Sequence, residues 1–350
     1  MLARLFQLLA LVTLGALLAT LAGVRDLENA GWYDVTTASL LAIGLYASTY
    51  EISLLEARRN LKVILAAVTV GVLAKAVLIG GLMVLLFRDP RFWVLGIAVA
   101  QIDPLSVSAL MRDSRMSQRA KTILAAWSSF DDPMTVLLVL YVPALIGQPK
   151  LPSATLISGL GNWDYPVSLA INVGFALAVG GLWWLARRKL ASSLVVAIVG
   201  YLLAVLSFAV AVGFLLMLEL ALAGLLVRPQ RLDRLLSWIA RFAFAAATLI
   251  LGVLLTDGID LVRGAALGTA TFVAQLIVGS ALTRRLPRMD RLHLVCAQQN
   301  GITAIILALL LEQVYPGTVG VIAPAIITTN VLYVLANRAV DRHLAPLIRR

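Results

Sequence analysis

Charge-poor apolar runs of about 20 residues follow one another from end to end of the chain, broken only by short clusters of basic residues. A run of that length crosses a hydrocarbon core about 30 Å thick when it is helical. The pattern predicts spans over 2–21, 35–55, 61–87, 92–111, 120–146, 166–186, 190–210, 212–227, 235–255, 261–282, 292–311 and 319–335. The stretch 190–227 carries a single charge, Glu219. As one helix rising 1.5 Å per residue it would reach about 57 Å, roughly twice the core. A turn near Gly213 divides it and keeps the basic clusters at both its ends on one side of the membrane.

The basic residues then sort by side. Segments on the side of the termini hold 22 of the 29 lysines and arginines, and the opposite segments hold Arg25, Arg88, Arg91, Lys150 and Arg263. The positive-inside rule places both termini in the cytoplasm, and the protein in the inner membrane. Composition agrees: 61% of the residues are hydrophobic and 13% charged, with a mean hydropathy of +0.94. The net charge of +11 acts as a topology signal and not as a nucleic-acid surface. The first run could be read as a cleavable leader, but the charge pattern favours a retained helix. The one cysteine, Cys296, lies within an apolar run, so no disulfide framework is expected. His293 and His343 flank span ends and are expected to titrate in solution, without binding metal.

Polar residues in spans three to five recur in spans ten to twelve at an offset of about 198 residues, the separation of Asp132 and Asn330. Leu73-Ala74-Lys75 with Gly80 matches Val273-Ala274-Gln275 with Gly279. The run from Ala100 through Gln101, Ile102, Asp103 and Pro104 to Ser106 matches Ala297 through Gln298, Gln299, Asn300 and Gly301 to Thr303. Seven helices separate the partners, an odd number, so the triplets cross the membrane in opposite directions. Such inverted repeats are a common transporter architecture, with the site at the midplane between the halves.

Lys75, Asp103, Asp131, Asp132, Gln275, Gln298, Asn300 and Asn330 all fall near the middle of their spans. A charge at that depth costs at least about 2.5–3.5 kcal/mol, so it faces a partner or a cavity. Asp103-Pro104 and Asn300-Gly301 pair a polar residue with a helix breaker, the pattern expected where a helix unwinds and exposes backbone carbonyls. Gln101, Ser106 and Gln299 flank these breaks. In Asp131-Asp132-Pro133, two adjacent buried carboxylates resist ionising together, so one can keep a proton near neutral pH. If a dehydrated cation needs the same oxygens in their charged form, proton and cation compete for one site. Lys75 is expected to pair with Asp131 or Asp103, which the sequence leaves open. Glu219 is read as facing a cavity or as a local hydrogen-bonding partner, and Glu51 and Glu56 as solvated.

These residues resemble the monovalent cation:proton antiporter superfamily. Gln101-Ile102-Asp103-Pro104 is similar to its unwound fourth-helix motif, and Phe130-Asp131-Asp132-Pro133 to the fifth-helix Asp-Asp of the electrogenic branch. Gly44 through Arg59 is similar to the second-helix segment. The resemblance implies an all-α polytopic fold of about twelve helices, with crossed unwound helices four and eleven. It implies a core bundle (61–147 and 259–341) that slides against scaffold helices (1–56 and 190–256), a homodimer, and no organic cofactor. It makes Asp132 the principal carrier of proton and cation (sodium, lithium or potassium), with Asp131 and Asp103 beside it. It departs where that branch has a tenth-helix lysine and this chain has Gln275; Lys75, the repeat partner of Gln275, is the candidate substitute. Two other readings stay open: a sodium-coupled symporter of organic anions, which usually lacks adjacent aspartates, and a non-transporting scaffold or sensor, which would tolerate loss of Asp132.

Overall fold

In lipid no water satisfies backbone N–H and C=O groups, so each span must close its own hydrogen bonds as a helix. The computed structural model describes residues 2–24, 26–50, 61–103, 107, 116–147, 165–190, 192–229, 232–340 and 342, and among them no strand occurs. The helices are α1 (Leu2–Ala22), α2 (Tyr33–Tyr50), α3 (61–87), α4 (Phe92–Val99), α5 (Gln118–Leu145), α6 (Tyr165–Lys189) and α7 (Ser193–Phe214). Then come α8 (Met217–Leu226), α9 (Leu232–Leu254), α10 (Leu261–Leu282), α11 (Arg288–Val295), α12 (Ile302–Glu312) and α13 (Thr318–Ala339). Seven helices among the described residues are long and apolar enough to cross a membrane.

Among the described residues the apolar pattern located these elements closely. The long run turns at Leu215, whose φ of 51° lies in the left-handed region and ends α7. The helix that follows, α8, has 10 residues and is shorter than the expected span. Within α3 a π-helical turn, Ala67–Gly71, joins Leu61–Ala66 to Val72–Phe87. α4 stops at Val99 and 100–103 are non-helical, while 296–301 separate α11 from α12.

Close helix packing rests on small residues that let backbones approach. Gly15 of α1 lies against Leu249 and Gly252 of α9, and Gly264 and Gly268 of α10 lie against Val321, Pro324 and Ala325 of α13. Pro324 has no N–H to give the carbonyl of Gly320; that carbonyl instead accepts from Asp260 N at 3.0 Å. The repeat is visible in the same terms. Gly80 of α3 packs on Trp93 and Gly96 of α4, and its counterpart Gly279 of α10 packs on Val295 of α11. On the basic-rich side, Asp290 of α11 accepts from Ser117 N (2.8 Å) and Ser117 Oγ (2.5 Å), tying α11 to the start of α5.

Candidate functional site

The two interruptions meet and bind each other through groups that a continuous helix would have used internally. The carbonyl of Val99, at the end of α4, accepts from Asn300 Nδ2 at 3.1 Å, and that of Gln101 accepts from Gln298 Nε2 at 2.6 Å. In return Asp103 N donates to the carbonyl of Gln299 at 2.9 Å. The span that follows each broken one supplies a side chain to a freed N–H. Asp131 Oδ2 of α5 accepts from Ile102 N at 3.0 Å, and Asn330 Oδ1 of α13 accepts from Asn300 N at 3.2 Å. Asn330 Nδ2 also donates to the carbonyl of Asn300 at 2.9 Å. This recurrence, one contact per half, follows the repeat read from the sequence to within a residue.

The two aspartates of α5 have different surroundings. Asp131 forms an ion pair with Lys75 Nζ of α3 at 2.9 Å, both side chains fully buried. The ammonium also stands 5.6 Å from the centroid of the Trp127 ring, a second favourable contact for a desolvated cation. The structure therefore resolves the alternative for Lys75 in favour of Asp131. Asp132, 1% exposed, has only neutral hydrogen-bonding partners among the described residues. Its Oδ2 accepts from Thr303 Oγ1 at 2.8 Å. With the Gln101 amide oriented so that its oxygen accepts from Ala304 N at 2.7 Å, its nitrogen donates to Asp132 Oδ1 at 3.3 Å. Asp103 and Asp131 both lie within electrostatic reach of Asp132. Pro133 lacks an N–H, so the carbonyl of Ser129, one turn earlier, has no helical donor beside the pair.

Asp103 is 3% exposed and its carboxylate rests against Gly301, where a Cβ would collide with it. Gly301 is thus required by close approach of the two breaks, in addition to being a helix breaker. Gln275 is fully buried, but its Nε2 donates to the carbonyl of Leu294 at 3.2 Å and so secures the end of α11. Gln299 is buried and contributes its backbone carbonyl. Ser106, with Pro104, Glu51, Glu56, Arg58, Arg59 and His343, lies outside the described residues.

Sequence reasoning did not nominate Thr303, Trp127 or Asn337, whose Nδ2 donates to the carbonyl of Cys296 at 3.4 Å. Thr303 carried a usable signal, since it is the repeat partner of the nominated Ser106. Trp127 carried none in its own span, because its role depends on where Lys75 arrives. The expectation that His293 lies in solution is corrected: it is 3% exposed, with Nδ1 3.4 Å from Asn337 Oδ1 of α13, because α11 packs against α10 and α5.

A family model described as the transmembrane sodium/hydrogen exchanger matches residues 2–340. A search of curated proteins returns no match. Among solved structures, that of the sodium proton antiporter MjNhaP1 from Methanocaldococcus jannaschii at pH 8 aligns with a TM-score of 0.62 at 14% identity. The alignment covers 100% of this chain and 98% of that one. At that identity the likeness concerns the fold.

Proposed function

The chain belongs to the transmembrane sodium/hydrogen exchanger family, and from that premise we propose that it exchanges protons for a monovalent cation through competition at Asp132. The observation that carries this reading is the inequality of the two adjacent aspartates. Lys75 neutralises Asp131, whereas the partners of Asp132 are a hydroxyl and an amide. An ionised carboxylate so deep in a bilayer needs a compensating charge. Either a proton or a dehydrated cation supplies it at Asp132, and binding one excludes the other.

Thr303 and Gln101 hold the two oxygens of Asp132 in place, and Asp103 contributes a further carboxylate toward a shared cation. Hard monovalent ions favour such oxygen ligands. Gln298, Asn300 and Asn330 keep the two breaks crossed, so the site has walls from both halves of the repeat. In this reading α3 to α5 and α10 to α13 form a core that carries the site, while α1, α2 and α7 to α9 form the scaffold against which it moves. Lys75 takes the part of a charge-compensating lysine from the opposite repeat to the one in which Gln275 stands.

The test is reconstitution into liposomes holding a pH-sensitive dye, followed by pulses of sodium, lithium and potassium. Proton efflux on addition of at least one cation is expected, and its loss in Asp132→Asn with the fold retained. Exchange that survives Asp132→Asn would overturn the proposal.

A further inference from the structure

Glu219 is the one fully buried acid among the described residues that the exchange site does not use. It stands in the first turn of α8 at 0% exposure, and its backbone N–H is accepted by Asn172 Oδ1 of α6 at 3.0 Å. Neither carboxyl oxygen has a hydrogen-bond partner among the described residues. The polar side chain nearest the carboxyl among the described residues, Ser207 of α7, is itself fully buried, and its hydroxyl falls short of hydrogen-bonding geometry.

Among the described residues no opposite charge reaches it. The elements packed on α8 are α2, α5, α6 and α7. Their titratable groups are Tyr33, Asp34, Tyr46 and Tyr50 on α2 and Tyr201 on α7. On α6 they are the cluster from Arg187 to Lys189 at its C-terminal end, and on α5 Arg119, Lys121, Asp131, Asp132 and Tyr141. None of these lies within electrostatic reach of Glu219. Tyr46 and Tyr50 are instead engaged beyond the far end of α8, donating to the carbonyls of Val227 (2.9 Å) and Pro229 (2.8 Å).

An ionised carboxylate in such a setting would be a buried charge without compensation, which is strongly destabilising. A dehydrated cation needs several converging oxygens, and here the Asn172 oxygen is already committed to a backbone N–H. A proton needs one. We propose that Glu219 is a second proton-binding site, separate from the aspartate pair, whose carboxyl stays protonated inside the scaffold between α6, α7 and α8. The site borders the transport helix indirectly. Leu225, on the same α8, packs with Phe130 and Met134 around Ala126 of α5.

The test uses the full chain purified in detergent and reads no transport. Infrared spectra at neutral pH are expected to show a protonated-carboxyl C=O component that is lost in Glu219→Gln, where any contribution of Asp132 persists, and retained in Asp132→Asn. In Ser207→Ala, which keeps the acid, the band is expected to shift without disappearing. Thermal unfolding supplies a second readout. Glu219→Gln and wild type should melt together near about pH 5, and the variant should become the more stable by a widening margin toward about pH 8.5, because only the wild type must draw a proton from increasingly dilute H⁺ to fold. A protonated-carboxyl band unchanged in Glu219→Gln, or a melting difference independent of pH, would overturn the proposal. Failure of the exchange reading would leave both measurements unaffected.

Discussion

Lys75 and Asp131 are worth more to each other than a surface ion pair because neither has water to fall back on. Removing one partner leaves an uncompensated buried charge, a loss of about 3–5 kcal/mol. Lys75→Met is therefore expected to lower thermal stability in detergent sharply, and the double variant Lys75→Met/Asp131→Asn to recover much of the loss, as a double-mutant cycle would report. Thr303 works on a smaller scale. A hydrogen bond to a charged group contributes about 1.5–3 kcal/mol, so Thr303→Val should weaken apparent cation affinity in the liposome assay by about tenfold or more while leaving unfolding nearly unchanged. Equal affinity in that variant would show that Asp132 is oriented by other groups.

Between elements, the crossing of the two breaks depends on one position without a side chain and on one amide. A Cβ on Gly301 would meet the Asp103 carboxylate. Gly301→Ala should thus abolish exchange even where size-exclusion profiles and helix content match the wild type. Asn330 satisfies both the N–H and the carbonyl of Asn300. Asn330→Ala strands both, at about 1–3 kcal/mol for each group left unpaired, and a fall in melting temperature is the expected outcome. Asn330→Asp retains the acceptor for the N–H but loses the donor for the carbonyl, so it should fall between the two.

Across the whole molecule, the lopsided distribution of basic residues makes an orientation testable. Cys296 is buried, so single introduced cysteines report cleanly. Asp257→Cys, before α10, should react with a membrane-impermeant thiol reagent from outside the cell, and Arg285→Cys, after α10, only once the membrane is permeabilised. The reverse pattern would invert the orientation. The arrangement also explains why the repeat matters. Each half supplies a non-helical stretch, 100–103 or 296–301, whose groups hydrogen-bond to the other half.

Much of this was legible along the chain because the bilayer imposes local rules. Many of the span positions, the division of the run at 190–227 and the burial of Lys75, Asp103, Asp131, Asp132, Gln275, Gln298 and Asn300 follow from run length, helix breakers and the cost of charge at depth. What local rules do not carry is direction and distance. That Lys75 reaches Asp131 and not Asp103, that Gln275 turns to the Leu294 carbonyl, that Thr303 and Trp127 join the cluster and that Gly301 makes room for Asp103 were decided only when helices far apart in sequence packed together. The length and depth of a span are properties of a segment, whereas the partner of a side chain is a property of the packed whole, where satisfying one buried group restricts the choices of its neighbours.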